Sequence, residues 1–128
     1  MPRAKALKMD VEDRPGVLGE ITSALGAKSI DVRGIHAYTD QGRGVVCVVV
    51  DKLAAANKVL AGHGLQPTQE DLLELELINK PGALGAITLK LGEAGVNIRY
   101  VFVGAGGGRR TTVYLAVSDL AAALKALR

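Results

Sequence analysis

Two patterns of apolar residues follow each other twice along the chain. Ahead of each of two Pro-Gly dipeptides, apolar and polar residues alternate, and the apolar positions are Leu7, Met9 and Val11 in one case and Leu73, Leu75 and Leu77 in the other. This period of two predicts a strand with one face in a core. After each dipeptide the apolar spacing changes to three and four, in the rows Leu18, Ile21, Leu25 and Leu84, Ile87, Leu91. That spacing predicts an amphipathic helix.

The chain contains an internal repeat. The stretch DRPGVLGEIT, residues 13–22, returns as NKPGALGAIT, residues 79–88, and LAAANKVL returns later as LAAALKAL. Between these stretches, each half carries two extended segments joined by a glycine-bearing loop, which predicts a β-hairpin. Each half is therefore expected to run strand, helix, strand, strand, helix. Gly26 is expected to end the first helix, and Gly95, with Gly92, the helix after the second dipeptide.

This element order predicts an α+β fold of two ferredoxin-like modules of the βαββαβ type in tandem, residues 1–70 and 71–128. Each module should have an antiparallel sheet with both helices on one face. Residues 65–68 are expected to supply the last strand of the first module, whereas the second module lacks its last strand. Residues 45–50 are apolar on both faces, so the helix-free face should also be covered.

Composition excludes some classes of function. The chain has 128 residues and a formal charge of +3, without a concentrated basic surface, which disfavours a nucleic-acid partner. The longest apolar run, VVCVVV, is too short to cross a membrane, and no signal peptide is expected. Cys47 stands alone, so no internal disulfide can form. These features predict a cytoplasmic protein without a membrane partner.

The motifs DRPGVLGEI with SIDV, and NKPGALGAI with GVNI, strongly resemble tandem ACT domains over residues 5–128. ACT domains are small ligand-binding modules of amino-acid metabolism, and the resemblance implies that a free amino acid binds at the Pro-Gly turn. Family sites are typically composite. The resemblance therefore implies that Asp13 and its turn face Asn97, and that Asn79 and its turn face Asp31.

The turns also have chemistry of their own. Proline fixes φ where a helix begins, and glycine removes a Cβ that would block close approach. The N–H groups of Val17 and Leu18, or of Ala83 and Leu84, have no intrahelical acceptor and suit a carboxylate. The alternative interpretation is a tight strand-to-helix turn that binds nothing.

The candidate ligand-binding residues combine these turns with nearby polar side chains. They are Asp13, Arg14, Pro15, Gly16, Val17, Leu18, Asp31, Asn79, Lys80, Pro81, Gly82, Ala83, Leu84 and Asn97. An aspartate would accept from the ligand's ammonium group, while the turn and an asparagine amide would donate to its carboxylate. In the alternative, Asp13 and Asn79 only cap helices, and Asp31 and Asn97 only close turns.

Other chemistry finds little support in the sequence. The loop GAGGGRR, residues 104–110, lacks the spacing of a dinucleotide-binding loop and joins two strands. His36, His63 and Cys47 show no metal-ligand spacing, and no nucleophile with a base or paired carboxylates is recognisable. The predicted central strands lack the aromatic pairs on which RNA-binding sheets stack bases. We therefore expect no enzyme activity, no cofactor and no metal.

The sequence thus predicts a small stand-alone regulator or sensor that binds a free amino acid at the interface of its two modules. Its output would act in trans, on a regulated enzyme or through rearrangement of a homo-oligomer, most simply a dimer. The alternative is a ligand-free module for protein interaction or oligomerisation, because an uncovered sheet edge invites another strand.

Overall fold

The computed structural model describes residues 2–106 and 108–128. Helices and strands follow the predicted order, which confirms the α+β class. The elements are β1 (Arg3–Glu12), α1 (Val17–Ala27), β2 (Val32–Asp40), β3 (Arg43–Val50), α2 (Leu53–Gly62), β4 (Thr68–Ile78), α3 (Ala83–Glu93), β5 (Ile98–Val103), β6 (Arg110–Val117) and α4 (Leu120–Ala126).

The chain folds into two compact units. The first unit comprises residues Lys5–Glu70, and the second comprises residues 1–4 together with Asp71–Arg128. Strands β1 and β4 each cross a unit boundary, so each gives a few residues to one unit and the rest to the other.

In the first unit, antiparallel strands lie in the order β2-β3-β1. Residues 68–70, the start of β4, lie beside β1, where the Thr68 hydroxyl donates to the Lys8 carbonyl (3.3 Å). The Lys8 ammonium is 3.8 Å from the Glu70 carboxylate. The expected last strand at residues 65–68 was therefore placed too early, because regular pairing begins only at Thr68.

The core of the first unit lies between its sheet and its two helices. Alternate residues of β1 and β3 point into it, and Ile21 and Leu25 of α1 and Ala56 and Leu60 of α2 pack against them. All five residues from Val46 to Val50 are buried, so both faces of β3 are covered. This agrees with the prediction made from the apolar character of residues 45–50.

In the second unit, the strand order is β4-β6-β5. No strand follows α4 in the part of the chain that the structure describes, as expected. However, the N–H of Glu74 donates to the Pro2 carbonyl at 3.0 Å. The N-terminal residues therefore lie beside β4 within this unit, and the edge of β4 is paired at Glu74.

The second unit has its own, smaller core. Leu73, Leu91 and Leu115 are fully buried in it, and partly buried leucines of α4 pack at its margin. On the helix-free face of this unit's sheet, Phe102 and Tyr114 are also buried, with ring centroids 5.1 Å apart.

Helices α1 and α3 end in the same hydrogen-bonding motif, but not at the residue expected for α1. The N–H of Ile30 donates to Leu25 and that of Ser29 to Gly26, which is a Schellman motif with Ser29 in the left-handed conformation (φ 57°). Gly26 therefore lies inside α1, and its prediction as the helix end was wrong. In α3 the left-handed residue is Gly95 (φ 76°), two residues beyond the helix end at Glu93.

Candidate functional site: the Pro-Gly turns and their clefts

Each Pro-Gly dipeptide forms a type II turn that opens directly into a helix. Gly16 has φ 90° and ψ −13°, and Gly82 has φ 86° and ψ −12°. These values match the third residue of a type II turn, which requires positive φ and hence glycine. A Cβ added at either glycine would meet no atom within 4 Å. Glycine is therefore needed at positions 16 and 82 because the turn requires a positive φ, and not because a side chain would clash with a neighbouring atom in the same unit.

The turns use some of the amide groups that were expected to be free. The N–H of Val17 donates to Arg14 at 3.4 Å, and that of Ala83 donates to Lys80 at 3.3 Å, so these two expectations were wrong. The N–H groups of Leu18 and Gly19 donate to no acceptor among the described residues. A helix N-terminus with two such groups attracts a carboxylate.

The interpretation of Asp13 and Asn79 as helix caps is wrong. The cap positions of α1 and α3 are Gly16 and Gly82, and neither helix has a side-chain cap hydrogen bond. In the part of the chain that the structure describes, the Asp13 carboxylate makes no hydrogen bond or ion pair. It is exposed and remains available to a ligand.

The first turn is held by an ion-pair network. The Arg14 guanidinium donates to Glu20 at 2.6 Å and to Glu12 at 3.1 Å, joining the end of β1 to the first turns of α1. The hydrogen bond to Glu20, and less so that to Glu12, raises the pKa of Arg14 above its ordinary value. The Arg14 guanidinium is thus already bound to two carboxylates, those of Glu12 and Glu20. Arg14 therefore acts as an ion-pair clamp on the turn and is not free to bind the carboxylate of a ligand.

A cleft of about 200 Å³ lies beside the first turn, entirely within the first unit. Its lining includes Asp13, Val17 and Leu18, three of the predicted site residues, and it adds Glu12 and residues that the sequence interpretation missed: Val11, Ala37, Tyr38, Thr39, Gly44, Val45 and Val46. Val11 belongs to β1, and the other missed residues come from the β2–β3 hairpin, where Tyr38 pairs with Val45. Leu18 was expected in the buried stripe of α1, but it is 39% exposed and borders this cleft.

The second unit has a different cleft. A space of about 320 Å³ is lined by Asn79, Arg110 and Thr111, together with Val103 and the glycines at positions 104, 106 and 108. Of the site residues predicted around the second turn, only Asn79 lines it. Lys80, Pro81, Gly82 and Leu84 are exposed, and Ala83 is half-buried.

Asp31 and Asn97 occupy equivalent loops in their units. The N–H of Asp31 donates to the Asp51 carboxylate (2.9 Å), and the N–H of Asn97 donates to the Ser118 hydroxyl (3.0 Å). In the opposite direction, the N–H of Asp51 donates to the Asp31 carbonyl (3.2 Å), and the N–H of Ser118 donates to the Asn97 carbonyl (2.8 Å). Both loops are thus held through their backbones, while the two side chains are exposed.

A larger groove, about 840 Å³, also belongs to the first unit, on the side of the turn where Arg14, Glu20 and Ser23 lie. Its charged groups already bind each other. Arg14 binds Glu12 and Glu20, and Arg43 pairs with Asp10. The Nδ1 atom of His63 contacts the Val59 carbonyl at 2.9 Å. We therefore place the candidate site at the cleft of about 200 Å³, which is lined by the unengaged Asp13 carboxylate and by Leu18, whose N–H has no acceptor among the described residues.

Cys47 is buried in β3, and His36 has its ring centroid 5.2 Å from that of Tyr38. Among the described residues there is no group of three or more His, Cys, Asp or Glu side chains that could hold a metal ion. The four helices within the described ranges are all too short or too polar to cross a bilayer.

Structures of known proteins have a similar fold. Protein BT0572 from Bacteroides thetaiotaomicron superposes with a TM-score of 0.89 at 23% sequence identity, over 98% of this chain and 87% of that one. The ligand-free regulatory subunit of aspartate kinase from Thermus thermophilus gives a TM-score of 0.70 at 18% identity, over 99% and 91% of the two chains. The same subunit from Thermus flavus gives 0.67 at 20% identity, again over 99% and 91%.

At these identities the likeness concerns the fold. No curated protein matches the sequence. The family comparison is more specific, because residues 5–64 match the model of the ACT domain. This match contains the first Pro-Gly turn, its clamp and its cleft. The chain therefore carries an ACT domain, formed by residues 5–64.

Proposed function

We propose that this protein is a small regulatory or sensor protein that binds a free amino acid at the Pro-Gly turns of two ACT modules, residues 1–70 and 71–128. It would act in the cytoplasm and in trans, on a regulated enzyme or through a change of oligomeric state, without catalysis of its own. The ACT match to residues 5–64 supports a regulatory role. The fold shared with regulatory subunits of aspartate kinase is consistent with it.

One observation carries the proposal. Beside the first turn, the N–H groups of Leu18 and Gly19 have no acceptor in the described parts of the chain, and Asp13 lines the adjoining cleft without a partner. An α-amino acid carries both complementary groups. Its carboxylate would accept from the two amides at the positive end of α1, and its ammonium group would donate to Asp13.

The composite arrangement from the sequence remains part of the proposal. In that arrangement, which the ACT resemblance implies, Asn97 would complement the first turn, and Asp31 would complement the second, where Asn79 takes the place of Asp13. Each site would then offer one carboxylate, one amide and a helix N-terminus. Ligand binding would shift the protein between two states in proportion to its difference in affinity for them.

The proposal is tested by measuring the thermal unfolding of the full chain in the presence of each common amino acid at millimolar concentration. Ligand at a hundred times its Kd stabilises the folded state by about 2.7 kcal/mol, which gives a clear shift in Tm. We expect one amino acid or a few related ones to shift Tm, and Asp13→Ala to abolish that shift. An unchanged Tm with all of them would contradict the proposal.

A ligand-free interaction module is the second candidate, and β5 favours it. This strand is the outermost of its unit, and Val101 and Val103 are 41% and 57% exposed on it. An uncovered strand with exposed valines can pair with a second copy of the chain. Light scattering during gel filtration tests this candidate. A dimer that Val103→Lys converts to a monomer, in a protein that binds no amino acid, would favour it over the sensor.

A further inference from the structure

We infer that the cleft of the first unit selects an amino acid with an uncharged, apolar side chain of moderate size, and that this selection lies in the first unit alone. The inference rests on the proposed function, since it specifies the ligand of the same turn. It follows from three features of the described residues: the walls of the cleft, the distribution of charge around it, and the different lining of the corresponding cleft in the second unit.

The walls of the cleft are mainly apolar. Six of its lining residues are aliphatic, namely Val11, Val17, Leu18, Ala37, Val45 and Val46. Tyr38 adds an aromatic surface that is 43% exposed, and its ring centroid lies 5.2 Å from that of His36. A ligand side chain that covers these groups removes apolar surface from water and gains free energy in proportion to the area.

The volume limits the size of the ligand. A space of about 200 Å³ holds roughly seven waters at their volume in the liquid, and it is smaller than the 300–1,000 Å³ pockets of drug-sized ligands. It suits an amino acid with an aliphatic side chain and is too small for a nucleotide. The close approach of β3 to β1 sets one wall, because a Cβ at Gly44 would be only 2.7 Å from the Val11 side chain.

The charges around the cleft disfavour a charged side chain. Glu12 and Asp13 line it, and neither Lys nor Arg does. An acidic ligand side chain would therefore face two carboxylates with no cation to balance it. Glu12 already binds the Arg14 guanidinium at 3.1 Å, so Asp13 is the carboxylate left for an ammonium group. The second ammonium group of a lysine ligand would have no carboxylate of its own.

The second unit lacks these features. Counting 66 positions along the repeat, Ile78, Lys80 and Ala86 stand where the first unit has Glu12, Arg14 and Glu20, so the second turn has no equivalent clamp. Gly104 stands in the place of Tyr38, and Val103 is the one aliphatic side chain among the described lining residues of its cleft. Arg110 and Asn79 make that cleft polar. It therefore offers little apolar surface to a ligand side chain.

Calorimetric titration of the full chain tests the inference. The panel comprises L-valine, L-leucine, L-isoleucine, L-methionine, L-lysine and L-aspartate, with isoamylamine and 4-methylpentanoate as leucine analogues that lack the carboxylate or the ammonium group. We expect at least one of the four apolar amino acids to bind about tenfold or more tightly than lysine and aspartate. Both analogues should bind about tenfold or more weakly than leucine, because each leaves one half of the site unpaired.

Single substitutions test whether residues of the first unit determine which amino acid binds. Asp13→Asn should weaken binding of the preferred ligand about tenfold or more, while Asp40→Asn, which removes the same charge from an exposed position outside the cleft, should leave the affinity within twofold. Tyr38→Ala should weaken binding of the preferred ligand several-fold and reduce its advantage over L-lysine and L-aspartate. Far-ultraviolet circular dichroism and Tm of each variant establish that it is folded.

The outcomes separate the inference from the proposed function. If no amino acid binds, both fail. If lysine or aspartate binds most tightly, or if Asp13→Asn has no effect while Asn79→Ala abolishes binding, an amino-acid sensor remains but the assignment of an apolar ligand to the first unit is overturned. Preference for an apolar ligand that depends on both Asp13 and Tyr38 supports the inference.

Discussion

Ser29 and Gly95 occupy the same left-handed position after helices α1 and α3, although only one of them is glycine. Their φ angles are 57° and 76°, and each donates its N–H to a carbonyl in the last turn of its helix, that of Gly26 at 2.9 Å and that of Gly92 at 3.0 Å. A residue with a Cβ pays about 1–2 kcal/mol for this conformation. The backbone is therefore strained at Ser29 in the first unit, whereas glycine at the equivalent position 95 of the second unit adopts the same conformation without this strain.

We expect Ser29→Gly to stabilise the protein by about 0.5–1 kcal/mol, since relief of strain is partly offset by the extra freedom of glycine in the unfolded chain. Gly95→Ser should destabilise it by a similar amount. Urea unfolding followed by circular dichroism measures both changes. A loss of stability in Ser29→Gly would mean that the serine side chain contributes more than its backbone costs.

Gly26→Ala should also stabilise the protein, by about 0.5 kcal/mol. Gly26 lies inside the last turn of α1, it is exposed, and an added Cβ would meet no atom within 4 Å. Alanine is the better helix former at such a position. Equilibrium unfolding in urea measures the effect, with Gly95→Ala as the opposite case. If both variants lost stability equally, Gly26 would have to be a helix-ending residue after all.

Asp119 caps α4, and its removal should cost about 1 kcal/mol. Its carboxylate accepts from the N–H of Ala122 at 3.0 Å, which satisfies one of the unpaired amides at the start of the helix. We expect Asp119→Ala to lower the free energy of unfolding by that amount and Asp119→Asn to retain most of it, because an amide oxygen can accept the same bond. Equal losses in the two variants would assign the effect to the negative charge instead.

Much of the fold was predictable because the apolar periods are strong and occur twice. The alternation at Leu7, Met9 and Val11 identified β1, and the repeat carried the element order into the second half. The end of α1 was missed because glycine is usual at the left-handed position after a helix, and here Ser29 holds it. Sequence alone suggested Gly26 instead.

The candidate site was predictable only in part. The dipeptides themselves indicated Pro15 with Gly16 and Pro81 with Gly82, and the positive φ of both glycines gives the physical reason. Tyr38 was missed because its place beside the turn depends on the register of the β2–β3 hairpin. That register follows from a two-residue turn, Gln41–Gly42, in which both residues have positive φ, and a non-glycine residue gives no reliable signal for such a turn.

The pair Gly16→Ala and Gly82→Ala separates the contribution of a turn to stability from its contribution to binding. Both glycines have nearly the same φ, and neither has an atom within 4 Å of an added Cβ. Each substitution should therefore cost a similar amount of stability, about 1–2 kcal/mol, by backbone strain alone. Only Gly16→Ala should also weaken the preferred apolar amino acid, by about tenfold, because it disturbs the N–H groups of Leu18 and Gly19. Unfolding in urea and calorimetric titration measure the two effects on the same preparations. If Gly82→Ala weakened binding as much as Gly16→Ala, ligand recognition would depend on both turns, and the first unit would not be the sole source of selectivity.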